Sequence, residues 1–92
     1  METVHRVYTK GNLTLESKKV EYDNKATEKS IGVQKENRDI VTAHESWKFI
    51  EGNPTPVKEW SVFITGKSTT IEDFEDCICA YEMILKEIKG ID

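Results

Sequence analysis

Residues 71–90 read IEDFEDCICAYEMILKEIKG, and this stretch decides the fold. Large apolar residues recur at steps of three and four, the spacing of an amphipathic helix. Thr70 precedes the stretch as an N-cap, acids fill the first turns, and Gly90 is a typical stop signal. The sequence predicts a helix over 71–89 whose stripe packs on the core, made of Ile71, Phe74, Ile78, Tyr81, Leu85 and Ile88 and widened by Cys77 and Ile84.

The segment before this helix predicts a β-hairpin. Apolar residues alternate over 41–49, with Glu45 as the exception, and again over 60–64, where Trp60 begins the run. Glycine, asparagine and two prolines separate the runs over 51–56 and mark the turn. The competing interpretation is a helix over 40–50, capped by Asp39 and ended by Gly52. The β-branched and aromatic content favours strands, and the parity places both Trp47 and Trp60 toward the helix.

The first 38 residues predict shorter strands. Strands are expected over 4–8 and 13–15, with a turn at Gly11-Asn12, and residues 18–22 continue the second strand. The apolar parity changes between Leu15 and Val20, which predicts a bulge or a bend near Ser17 if both belong to one strand. A turn is expected at residues 23–25 and a short strand over 30–34. Because apolar residues are sparse over 24–38, this segment is expected to be a mobile hairpin or loop whose order is open.

These elements sum to one α+β domain over residues 1–92. We expect an antiparallel sheet of four to five strands, β-rich over 1–66, with one long C-terminal helix across one face. The chain has 92 residues, 37% hydrophobic and 33% charged, which fits a single modest core. It shows neither a secretory signal pattern nor an apolar run of about 20 residues. Two cysteines without a disulfide framework favour the cytoplasm.

Charge divides the chain into two unlike halves. Residues 1–38 carry eight basic and six acidic side chains, whereas residues 39–92 carry five basic and eleven acidic ones, for a total of −4. The helix and the residues after it hold seven of those acids. An acidic helix on one side of a lysine-bearing sheet is therefore expected.

No catalytic, cofactor or metal motif stands out in the sequence. His5 and His44 lie in no recognisable catalytic pattern, and Cys77-Ile78-Cys79 lacks the second ligand pair of a zinc site. Cys77 falls on the apolar stripe, whereas Cys79 falls on the polar side of the helix near Met83. We therefore expect no enzyme, no cofactor and no metal.

Two functions remain as hypotheses. The first is a small acidic protein-binding module, an adaptor, assembly partner or inhibitor, for which a homodimer is the default assembly. Its partner is not identifiable from the sequence, and its expected contact residues are Glu72, Glu75, Asp76 and Glu82. The alternative is a single-stranded nucleic-acid binder with aromatic residues for stacking and basic ones for the backbone. Its expected contact residues are Arg6, Lys18, Lys19, Lys48, Lys58 and Tyr22.

Overall fold

Five strands run antiparallel in chain order, and one helix follows them. The computed structural model describes residues 1–23 and 27–91, without the side chains of residues 5 and 91. All five strands form one antiparallel sheet, as expected from the sequence, and their order in it is β1-β2-β3-β4-β5. The elements are β1 Glu2–Lys10, β2 Leu13–Glu21, β3 Thr27–Lys35, β4 Arg38–Lys48, β5 Val57–Ile64 and α1 Ile71–Ile91.

The core lies between α1 and the middle of the sheet. Alternating residues of β2, β3 and β4 point to the helix side, because successive side chains of a strand point to opposite faces. α1 packs on these three strands. The side chains that fill the core from both layers are Leu13, Leu15, Ile31, Val33, Val41, Ala43, Ala80, Met83 and Ile84.

The central strand β3 corrects the expectation for residues 24–38. The strand expected over 30–34 is confirmed, but it belongs to no mobile hairpin or loop, since residues 27–35 pair with β2 on one side and β4 on the other. Ile31 and Val33 are buried, and two apolar residues suffice here because the other face of the strand is open. Glu36 and Asn37 both have positive φ, 53° and 64°, which matches a two-residue type I′ turn into β4. The expected turn at residues 23–25 lies partly outside the described residues.

The expected bulge lies in a different strand. β2 pairs with β3 without a register shift, so Ser17 is a regular, buried strand residue. The irregularity is in β1 between Val4 and Arg6, opposite Ser17 and Lys18. The parity change in β2 arises because Val20 points to the open face of the sheet. The strand over 4–8 and the turn at Gly11-Asn12 are confirmed.

β4 and β5 form a hairpin, and the competing helix over 40–50 is wrong. The β3–β4 ladder ends at the pair of Ser30 and His44, whereas the β4–β5 ladder continues to Lys48 and Val57. The last residues of β4 therefore project as an arm that pairs with β5. Trp47 lies on this arm beyond the reach of α1 and is 57% exposed, so the expectation that it packs under the helix is wrong. Trp60 does pack partly against the core.

The two ends of α1 differ in how well the sequence defines them. The Thr70 hydroxyl accepts a hydrogen bond of 3.0 Å from the Asp73 N–H, which confirms the N-cap. The helix continues through Gly90 to Ile91, so Gly90 is not its stop. Within the described residues, no helix combines the length and the apolar character that crossing a membrane requires.

Candidate functional site

The most conspicuous surface is an apolar stripe along α1 that faces solvent. Phe74 is 56% exposed and Tyr81 is 39% exposed, and the other members are at least as open as Tyr81. Their spacing of three, four, three and four residues brings them onto one side of the helix. We call this stripe the apolar flank and define it as Ile71, Phe74, Ile78, Tyr81 and Leu85.

The apolar flank corrects the expectation that this stripe fills the core. α1 is rotated so that a different set of residues meets the sheet, namely Cys77, Ala80, Met83, Ile84 and Glu87. Ala80 lies at the middle of this set, and its small side chain lets the helix approach the sheet closely. Cys77 and Ile84 are buried as expected, and Ile88 is half-buried. The prediction that Cys79 lies on the polar side near Met83 is wrong, since Cys79 packs against the core and Met83 is part of it.

The apolar flank lies on the side of α1 that faces β4 and β5. A shallow cavity between α1 and β1 is lined by Tyr8, Lys10, Cys79 and Met83, so that side of the helix faces β1. Successive helical residues are separated by about 100° around the axis. Tyr81 therefore lies on the opposite side, above the part of the sheet that α1 leaves uncovered. Ile78 and Ile71, about 160° and 180° from Ala80, point away from the sheet.

β5 provides the adjoining floor of this surface. Trp60 and Val62 point to the helix side and are partly buried, because they are cross-strand partners of Glu45 and Ala43. Ile64 points the same way and is well exposed. The apolar flank and the helix-side residues of β5 therefore border the same uncovered region.

Glu45 lies at the lower end of this region as a buried acid. Its carboxylate Oε2 is 3.3 Å from the Nζ of Lys58 on β5, and its side chain is 5% exposed. A buried carboxylate is tolerated when an opposite charge accompanies it. The neighbouring Trp60 Nε1 is buried and has no hydrogen-bond partner among the described residues.

The four acids expected to contact a partner divide into two pairs. Glu75 and Glu82 are exposed on the outward side of α1, next to the apolar flank, where they form a charged rim. Glu72 and Asp76 instead meet Lys35 of β3. The hydrogen bond to Asp76 is the main reason why the pKa of Lys35 is raised. These two acids therefore fix the helix to the sheet, so two of the four remain as rim residues.

The start of α1 has a further electrostatic anchor. The Thr69 hydroxyl donates a hydrogen bond of 3.1 Å to Asp73, while the backbone N–H of Asp73 donates to Thr70. Hydrogen bonds involving Thr70 and Thr69 hold the pKa of Asp73 below its ordinary value. A negative charge in the first turn is favourable because it meets the positive end of the helix dipole.

The residues expected to contact nucleic acid do not share one surface. Lys18 and Lys48 lie on the open face of the sheet, whereas Lys19 and Lys58 lie on the helix side, as the strand pairing requires. Arg6 stacks over Tyr8 and pairs with Glu87 at 3.4 Å.

Acidic side chains pair with two further residues that were expected to contact nucleic acid. Lys18 is within 3.4 Å of Glu2 and 3.3 Å of Glu16, and the hydrogen bond to Glu16 is the first cause of its raised pKa. The Tyr22 hydroxyl donates to Glu28 at the far end of β2, which raises the pKa of Tyr22. The structure therefore forms no continuous basic and aromatic surface from these residues.

No group of three or more His, Cys, Asp or Glu in the described ranges, 1–23 and 27–91, is arranged to hold a metal ion. No protein-family model matches the chain, and no match is found among curated proteins or solved structures. The site must therefore be interpreted from its own geometry.

Sequence reasoning named the residues of the apolar flank but assigned them to the wrong environment. One signal separates the two sets. The flank residues are large, whereas the sheet-facing set contains the small Ala80 and Cys77. Because close packing leaves little room at a contact, the small Ala80 marks the sheet side of the helix, although Met83 and Ile84 beside it are as large as residues of the flank.

Proposed function

We propose that this chain is a non-enzymatic protein-binding module and that the apolar flank is its binding surface. The first partner that we expect is a second copy of the chain. The observation that supports this proposal is the exposure of five large apolar residues in one row on a rigid helix. Exposed apolar residues scattered singly are ordinary, but a continuous row is typical of an interaction site.

The size of the apolar flank supports the proposal. With side chains of about 200 Å² each, the exposed fractions of its five residues correspond to roughly 500 Å² of apolar surface. The largest apolar patch of an ordinary monomer is about 300–600 Å², and patches at the upper end are often functional. At about 25 cal/mol per Å², covering this surface provides a gross driving force on the order of 10 kcal/mol before the costs of association.

The composition of the surface also fits protein binding. Its centre holds Phe74 and Tyr81, the kind of aromatic residue that is enriched in interfaces. Glu75 and Glu82 border it as a charged rim, and the binding of an apolar centre does not require their desolvation. The acids thus act in solubility and partner choice rather than as the main contacts, which refines the sequence-based hypothesis.

The test is sedimentation velocity on the wild-type chain and on Ile78→Glu over a range of protein concentrations. The wild type is expected to sediment as a concentration-dependent oligomer, and Ile78→Glu to remain a monomer, because a carboxylate at the centre of the flank opposes its burial. His44→Glu is the matched control, since it adds one acid to an exposed site on the open face.

Circular dichroism of the three proteins shows whether each variant is folded. If the wild type is monomeric at all concentrations, a photo-crosslinking amino acid at position 81 is compared in cells with one at position 44. Equal crosslinking from the two positions, or none from position 81, would show that the flank is not a binding surface.

A further inference from the structure

The two edges of the sheet differ in how well they are protected against strand pairing. Edge strands expose unpaired backbone groups, and proteins protect them with bulges and charges. β1 has both, since its register shifts between Val4 and Arg6, and Glu2, Arg6 and Lys10 distribute charge along it. Its edge is therefore a poor template for another strand.

β5 has neither form of protection over most of its length. Its ladder with β4 runs over eight residue pairs without a register shift, from Lys48–Val57 to Val41–Ile64. The charges Lys58 and Glu59 stand near its start, and residues 60–64 read WSVFI, with no charge, proline or glycine. A regular, apolar and uncharged edge of this kind is typical of a strand that pairs with another chain.

Two hydrogen bonds show which backbone groups of β5 point outward. The Ser46 hydroxyl donates to the carbonyl of Glu59, and the N–H of Thr65 donates to the carbonyl of Ile40, so odd-numbered residues face β4. Because backbone groups alternate along an antiparallel strand, the N–H and C=O of even-numbered residues point away from it. The outward residues are Lys58, Trp60, Val62 and Ile64.

We infer that β5 pairs with β5 of a second copy of this chain, antiparallel and related by a two-fold axis, to form a continuous ten-stranded sheet. The inference rests on the proposed function, because it names the partner of the same region. An isologous contact is the usual arrangement of a homodimer, since the same edge serves both copies.

In one register, the outward N–H and C=O groups of all four residues have hydrogen-bond partners in the second copy. This register places Trp60 opposite Val62 of the second copy and Lys58 opposite Ile64 of the second copy. Glu59 then faces Phe63 of the second copy on the open face, so no like charges meet. A shift by two residues one way puts Val62 on the two-fold axis and sets Lys58 against Gly66, whose N–H already donates to the carbonyl of Ile40. A shift by two residues the other way puts Trp60 on the axis and sets Ile64 against Pro56, which has no N–H to donate.

The apolar flank lies on the same side of α1 as this edge. Pairing through β5 therefore turns the two flanks toward each other across the axis, with the helices antiparallel. The acidic first half of each helix then lies nearest the half of its neighbour that carries Lys86 and Lys89. α1 packs on β2, β3 and β4, so at about 4.8 Å per strand roughly 20 Å separates the two helix axes, and the flanks line a shared groove rather than contact each other along their length. The contact itself is made by the outward edges and the helix-side residues of β5.

The test is hydrogen exchange of individual amides in the wild-type protein at low and high concentration, together with sedimentation of Val62→Pro. Amides of Trp60 and Val62 are expected to gain protection as the dimer forms, whereas Ser61 and Phe63 are protected throughout by β4. Proline at position 62 removes an outward N–H and leaves the β4–β5 ladder intact, so it should yield a folded monomer. Val62→Thr keeps the N–H and should still form dimers.

The outcomes separate this inference from the proposed function. A dimer whose Trp60 and Val62 amides exchange freely, and which Ile78→Glu dissociates, would overturn pairing through β5 and leave the apolar flank as the interface. A wild-type monomer at all concentrations would overturn the β5 dimer, and crosslinking from position 81 would then decide the function separately. If Val62→Pro does not fold, the exchange of the wild-type amides alone decides.

Discussion

The two long sides of α1 are almost equally apolar in sequence, yet they have opposite environments. The sheet side presents Cys77, Ala80 and Ile84, which are buried, whereas the apolar flank presents the larger Phe74, Ile78 and Tyr81 to solvent. A helix of a solitary domain normally buries its largest apolar residues. We therefore propose that the helix serves two contacts, one within its own domain and one with a partner.

The two edges of the sheet show the same asymmetry as the two sides of the helix. On the β1 side, α1 borders a strand whose edge is bulged and charged. On the other side, the apolar flank adjoins β5, whose edge is regular and apolar. The two unprotected features thus lie on the same side of the molecule, so one partner can cover both.

The largest expected effect is on the sheet side of the helix. Ile84→Ala should lower the free energy of unfolding by about 2–5 kcal/mol, because Ile84 is fully buried and its truncation leaves a cavity. Ile78→Ala on the apolar flank is the matched control. Denaturant unfolding at a concentration where the protein is monomeric should show little change for Ile78→Ala, since alanine is the better helix former. Equal losses would mean that both sides pack in the monomer.

The N-terminal cap should have an intermediate effect. Thr70→Ala removes the acceptor of the Asp73 N–H and should cost about 1 kcal/mol of unfolding free energy. Thr70→Ser keeps the hydroxyl and should restore most of this loss in the same thermal or denaturant unfolding experiment. If both variants lose equal stability, the hydroxyl is not what stabilises the helix start.

The same anchor predicts a pH dependence. Because the pKa of Asp73 is lowered in the folded chain, its stabilising contribution is present above the ordinary value of 3.8 and is lost as the pH falls through the lowered value. Lys35 has the opposite pH dependence, because its pKa is raised in the folded chain. Its contribution to stability is present below pH 10.5 and is lost as the pH rises through the raised pKa. Asp73→Asn should therefore lower stability at pH 6 more than at pH 2, as measured by thermal unfolding. An equal loss at both pH values would contradict the role of the Asp73 charge.

The smallest expected effect concerns nucleic acid. Because Lys18 and Lys19 point to opposite faces of the sheet, the basic residues offer no shared track for a phosphate backbone. Fluorescence anisotropy with a labelled single-stranded oligonucleotide at low salt should therefore detect no binding in the micromolar range. Steeply salt-dependent binding in that range would instead favour the nucleic-acid hypothesis.

The fold could be predicted from local signals, and the candidate site could not. The hairpin of β4 and β5 and the helix start at Thr70 followed from turn residues and a cap, which act over a few residues. The strand over 30–34 was predicted, but its full length and its central place in the sheet were missed, because Glu36 and Asn37 form a turn without glycine. The rotation of α1 was missed because hydrophobic spacing alone does not distinguish Ile78 from Ile84, and only the fit of Ala80 against the sheet does.

The most direct test of the account is hydroxyl-radical footprinting of the wild-type protein at low and high concentration, comparing two tyrosines. Tyr81 lies in the apolar flank with 39% exposure, and Tyr22 lies beyond the end of β2 with 50% exposure. If the flank binds a second copy, oxidation of Tyr81 should fall as the concentration rises, while oxidation of Tyr22 stays constant. Constant oxidation of Tyr81 across a concentration range in which the protein associates would contradict the central claim that the flank is the binding surface.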